Sequence, residues 1–246
     1  MNRKLEICCY TLESAIIAEQ AGADRIELCD NYSEGGTTPS YGKIKQTINK
    51  LNIPINVIVR PRGGDFLYTQ NEFEIIKADV VKIRELGANG IVIGFLNKDA
   101  SIDIKRTEEI LNLGRPMEVT FHRAFDMCND HYYALHQLTD IGVERILTSG
   151  GKQSAYEGME TLQKLVESAG DKIIVMPGSG INEFNIEKIM LFTQALEFHS
   201  SAKTFIKSAM EYYNENVSMS DISSIDEFKN IIVDENKIRE MKKIIS

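Results

Sequence analysis

A single (β/α)₈ barrel, the TIM-barrel class of α/β fold, with an additional C-terminal helix is the architecture this 246-residue sequence predicts. Three observations lead there. Eight short β-branched runs alternate with segments of helical apolar spacing, which implies parallel strands joined by right-handed crossovers. A weak internal repeat, GADRIEL (Gly22 to Leu28), GANGIVI (Gly87 to Ile93) and GVERILT (Gly142 to Thr148), sets a glycine helix cap just ahead of a strand three times. No GxGxxG or GxxxxGK[ST] motif follows any strand, which removes the main reason to prefer a doubly wound open sheet.

In chain order, the predicted strands are Leu5 to Cys9, Arg25 to Cys29, Ile55 to Val59, Gly90 to Ile93, Met117 to Phe121, Arg145 to Thr148, Ile173 to Met176 and Ala195 to Phe198. Helices are expected over Leu12–Ala21, Tyr41–Leu51, Glu72–Leu86, Ile102–Leu113, His131–Ile141, Tyr156–Ala169 and, shorter, Glu183–Leu191. Polar residues dominate from Glu211 to Ser223, and helical spacing resumes from Ser224. The chain therefore reads as one barrel domain over residues 1–246, with 211–246 as a long final connection and a C-terminal helix.

Composition narrows the function. The net charge of -8, without clustered Lys and Arg, argues against a nucleic-acid partner. No apolar run approaches the roughly 20 residues of a membrane span, and MNRKLEICCY lacks the apolar core of a signal peptide, so a cytoplasmic protein is expected. In that setting Cys8, Cys9, Cys29 and Cys128 read as free thiols or ligands rather than a disulfide framework.

Strand alternation separates the side chains that face the helices from those that face the barrel axis. With Leu5 and Ile7 outward, Glu6 and Cys8 point inward; by the same rule Glu27 and Cys29, then Glu118, Thr120 and His122, then Glu197 and His199 do so. The third strand runs out through VIVRPRGGDFLYT, which sets Ile58, Arg60 and Arg62 on one parity. Arg60 and Arg62 are thus the expected cations for four inward glutamates, whose charges need partners. The last three loops carry TSGG (Thr148 to Gly151), MPGSGIN (Met176 to Asn182) and HSSAK (His199 to Lys203), a pattern suited to anion binding by exposed backbone N–H groups.

Together, RIELCDNYSEGGTTPSYG, VIVRPRGGDFLYT, VTFHRAFD, ILTSGG, MPGSGI and EFHSSA resemble the CutC family of copper homeostasis proteins, over about Leu5 to Lys203. The resemblance implies a barrel, a cytoplasmic location, a homo-oligomer and Cu(I) bound by cysteines, here Cys8 and Cys29. Soft thiolates select Cu(I), and equivalent points on neighbouring strands permit a shared ion, although the stagger of a barrel offsets them.

Two further readings concern the same mouth. As an enzyme acting on a small anionic or phosphorylated metabolite, the protein would use Glu27, Arg60 and His122 for catalysis and Arg62, Ser149, Gly150, Gly178, Ser179, Gly180 and Ser200 to hold the anion. No lysine in the predicted strands has the inward parity of a Schiff-base residue. Least favoured is a divalent-metal site of Glu118, His122, Glu197 and His199.

Overall fold

In the computed structural model, which describes residues 3–214, 216–217 and 226–246, the three repeat glycines share one role. Gly22, Gly87 and Gly142 take φ of 93°, 87° and 82°, left-handed values that a side chain resists, and each turns the chain from a helix into the next strand. The strands are β1 (Lys4–Cys9), β2 (Arg25–Leu28), β3 (Ile55–Ile58), β4 (Gly90–Ile93), β5 (Glu118–Phe121), β6 (Arg145–Thr148), β7 (Ile174–Pro177) and β8 (Glu197–Ser200). They form one parallel sheet in the order β7-β6-β5-β4-β3-β2-β1-β8. β7 and β8 lie side by side and complete the ring without a hydrogen-bonded register, so the barrel is nearly closed.

Seven helices alternate with these strands: α1 (Leu12–Gln20), α2 (Tyr41–Lys50), α3 (Gln70–Leu86), α4 (Ile104–Gly114), α5 (His131–Asp140), α6 (Met159–Ala169) and α7 (Ile186–Thr193). Their starts follow local chemistry. α3 begins two residues ahead of the predicted Glu72 because Thr69 and Glu72 close a reciprocal capping box. α7 begins later than predicted: Asn182 and Asn185 side chains accept from the Phe184 and Asn182 amides and hold a turn there first.

Apolar side chains divide by parity as alternation requires. Leu5, Ile7, Ile26, Leu28, Val119 and Phe121 join the large core between sheet and helices, while Cys8, Cys29, Ile58 and Val92 form a separate small cluster on the axis. The end of the chain departs from expectation. Helical spacing from Ser224 predicts helix, yet Lys229–Val233 is β10, paired antiparallel with β9 (Lys203–Lys207). The β-branched run Ile231 to Val233 suits a strand, and Asp234 then caps α8 (Glu235–Ile245) by accepting from the Asn236 and Lys237 amides. α8 buries Ile238, Met241 and Ile245 and binds Asp24 through Lys242. Part of the predicted connection, residues 215 and 218–225, lies outside the described residues.

Candidate metal centre at the barrel mouth

The lower half of the axis is charged, and its cations are not the expected ones. Arg25 and Arg145, from β2 and β6, supply the positive charge that the sequence reading assigned to Arg60 and Arg62. Arg25 donates to Glu6 through Nε and to Glu197 through Nη2 at 2.7 Å; Arg145 Nε donates to Glu197 at 2.6 Å and its Nη2 reaches Glu118 at 3.2 Å. Asn56 and His199 Nδ1 also bond Glu6, the latter at 2.8 Å. Burial alone would raise the Glu6 pKa, but Arg25 and His199 outweigh it and hold the carboxyl well below its usual range. Arg25 shares the inward parity of Glu27 and Cys29, so strand alternation carried a signal for it that the sequence reading did not use.

Above this lattice sits a thiol centre. Register pairs Cys8 with Glu27, two residues short of Cys29, so the sulfurs meet on a diagonal, 3.6 Å apart. Cys29 Sγ lies 3.3 Å from Glu27 Oε2, and one donor atom from each of Cys8, Glu27 and Cys29 falls within 4.8 Å of the others. All three are buried. Hydrogen bonding from Cys29, joined by His199 and the Tyr10 hydroxyl, stabilises the Cys8 thiolate and pulls its pKa well below that of a free thiol. Burial and that neighbouring charge push Cys29 the other way. Burial and the charge at Cys8 raise Glu27 to about 8, so it carries a proton at neutral pH. His199 is an imidazolium: burial opposes its charge, but bonds to Cys8 and Glu6 and the nearness of Glu27 prevail.

Across the axis, β3 and β5 end in Arg60 and His122. Arg60 Nη1 donates to the carbonyls of Glu34 and Gly36 and Nη2 to that of Gly64, and its cation lies over the Phe66 ring at 5.2 Å. The Ala124 amide donates to His122 Nδ1 at 3.1 Å, and the ring packs 4.8 Å from Phe66. Gly94 makes room: a Cβ there would meet the His122 ring at 2.4 Å. Between the thiol wall and this one lies a cavity of about 180 Å³.

Not every predicted residue reaches it. Glu27 stands with the thiols and is not part of the cavity lining, to which Arg60 and His122 both belong. Arg62 is held outside by Glu72 and Asp65. Ser149 is tied to Asp126, Arg123 and the Lys152 carbonyl, and Gly150 packs against Gly158. Gly178 lies between Leu147 and His199, while Ser179, Gly180 and Ser200 do line the cavity. The alternative metal set is not assembled: Glu118 and Glu197 are bound by Arg145, and His122 belongs to the Phe66 wall. Asp126 pairs with Arg123, Thr148 and Ser149. Arg123 and Tyr10, both on the cavity, were missed as site residues. Arg123 stands one residue past the inward parity, so alternation gave no signal for it.

A sequence model of the CutC family matches residues 3–204. A CutC family protein of Photorhabdus laumondii is 47% identical over 243 residues, 99% of this chain and 97% of its own. One from Parabacteroides distasonis is 46% identical over 241 residues, covering 97% and 99%. The crystal structure of CutC from Streptococcus agalactiae, which carries a provisional copper homeostasis name, superposes with a TM-score of 0.77 at 33% identity, covering 81% of this chain and 98% of that one. A phosphoribosylanthranilate isomerase from Thermotoga maritima, at 12% identity and a TM-score of 0.59 over 99% of this chain and 98% of its own, shares the barrel fold alone.

Proposed function

This chain belongs to the CutC family, and from that premise we propose that it serves copper homeostasis by holding Cu(I) as cargo between Cys8 and Cys29. The observation that carries the reading is the 3.6 Å approach of the two sulfurs beside the Glu27 carboxyl, in a buried pocket at the mouth. Metal–thiolate bonds of about 2.3 Å, as zinc makes, would span that gap without backbone movement. Two soft sulfurs select Cu(I) over hard cations, and Glu27, on losing its proton, offers a third donor. His199 offsets part of the charge that two thiolates and a carboxylate would gather. Reduced thiols are what this chemistry needs, and a cytoplasmic location is part of the same reading. So is a homo-oligomer, for which exposed Phe184, Leu191 and Phe192 at α7 offer apolar surface.

The test is a Cu(I) titration of the reduced protein against a strong competing chelator, with Cys8→Ser and Cys29→Ser alongside. One ion per chain, lost in both variants, is the expected result. Binding that survives both substitutions would remove copper from these residues.

A further inference from the structure

On the wall facing the thiols, two groups lack the partner their burial demands. His122 is 5% exposed, and because Nδ1 accepts from the Ala124 amide, the proton of the neutral ring lies on Nε2. Among the described residues that N–H has no hydrogen-bond partner. Arg60 is 6% exposed, and its guanidinium bonds only carbonyl oxygens; no carboxylate among the described residues lies within ion-pair distance of it. A buried cation without a counter-charge and a buried donor without an acceptor are each costly, and both residues line one cavity.

The lining of that cavity settles the sign and number of charges it can take. No Asp or Glu contributes to it. Arg123, also on the lining, is already balanced by Asp126; the Cys8 thiolate on the lining is answered by His199, and Glu6 behind it by Arg25. One uncompensated positive charge remains, that of Arg60. Phe66, Ile58 and Leu147 supply an apolar stretch of the surface beside the hydroxyl-bearing Tyr10, Ser179, Ser200 and Ser201. At about 180 Å³ the space falls below the roughly 300–1,000 Å³ of pockets that hold drug-sized ligands.

We propose that this cavity binds a small monocarboxylic acid, with one carboxylate oxygen accepting from His122 Nε2, the guanidinium of Arg60 supplying the counter-charge, and a short apolar tail against Phe66, Ile58 and Leu147. A phosphate monoester offers the same oxyanion chemistry but brings about two charges where one cation waits. The site lies across the axis from Cys8 and Cys29 and does not rest on the copper reading.

The experiment uses the full chain, reduced and without added metal, titrated with sodium acetate, propionate, butyrate and valerate, and separately with inorganic phosphate and n-butanol. Binding is followed by calorimetry and by the ¹H–¹⁵N signal of His122 Nε2–H. Saturable binding of at least one carboxylate that shifts this signal is expected, with phosphate and butanol weaker. His122→Phe should lose about tenfold to a hundredfold in affinity, the range for a hydrogen bond to a charged group, and His122→Gln, which keeps an N–H donor, should recover part of it; circular dichroism checks that both fold. No saturable binding by any of the acids, binding that His122→Phe leaves unchanged, or preference for phosphate would each overturn the assignment.

Discussion

The proton of His122 sits on Nε2 because the Ala124 amide already donates to Nδ1, and burial beside Arg60 keeps the ring neutral by lowering its pKa from 6.5 to about 3. The consequence for stability has a definite sign. Between about pH 6.5 and 3 the unfolded chain takes up a proton that the folded chain refuses, so stability is fully present above that window and falls as the pH drops through it. At its full extent the difference is worth at most about 5 kcal/mol. Urea unfolding of the wild type and His122→Phe from pH 7 to 4 should show a flatter decline in the variant; parallel declines would refute the assignment. At this scale much was legible. Strand parity alone selected Glu6, Cys8, Glu27, Cys29, His122 and His199 as axial, because alternation is a property of the backbone. Parity could not say which neighbours those side chains would meet, and so it attached Arg60 and Arg62 to the glutamates.

The β9–β10 hairpin shows what an element adds. Phe205 of β9 packs edge-on against Tyr32 at 6.0 Å, Tyr32 against Tyr10 at 6.1 Å, and Tyr10 in turn lines the same cavity as Cys8 and helps stabilise its thiolate. The hairpin thereby reaches the thiol centre through two aromatic rings. Phe205→Ala should raise the rate at which Cys8 reacts with an aromatic disulfide reagent by about two- to tenfold, in keeping with the ~0.5–1.5 kcal/mol of one aromatic edge contact. Cys8→Ser identifies which thiol is read, and an unchanged rate would mean that the hairpin does not guard the centre. Neither β9 nor β10 was legible. The segment from Ser224 has apolar spacing that fits a helix, yet Lys229–Val233 is a strand because Lys203–Lys207 offers a free edge. Short apolar runs carry both readings until a partner is present. The Thr69 and Glu72 box, by contrast, is local, and its x-x spacing marks the start of α3 in the sequence itself.

For the molecule as a whole, the charged lattice acts as a closure. No hydrogen-bonded register joins β7 to β8, yet Arg145 of β6 and Arg25 of β2 both bond Glu197 of β8, tying the two ends of the sheet across the axis. Buried ion pairs of this kind seldom stabilise more than apolar packing would, but removing one member leaves a buried charge alone. Arg145→Met is accordingly expected to lower the unfolding free energy by about 3–5 kcal/mol. Adding Glu197→Gln should restore part of that loss, because it removes the stranded carboxylate. A double-mutant cycle by chemical denaturation measures the coupling, and strictly additive losses would deny it.

The sequence by itself determined the barrel, the order of its strands, the inward parity of the site residues and the family, since alternation, capping and motif content are local properties written along the chain. The tertiary structure decided which charges meet. Only the stagger of eight strands brings Arg25 and Arg145 to Glu197, sets Cys8 and Cys29 on a diagonal at 3.6 Å, and leaves Arg60 and His122 facing a cavity with unspent donors and charge. Those outcomes depend on register around a nearly closed ring, and the offsets are fixed by contacts between residues as far as 193 positions apart.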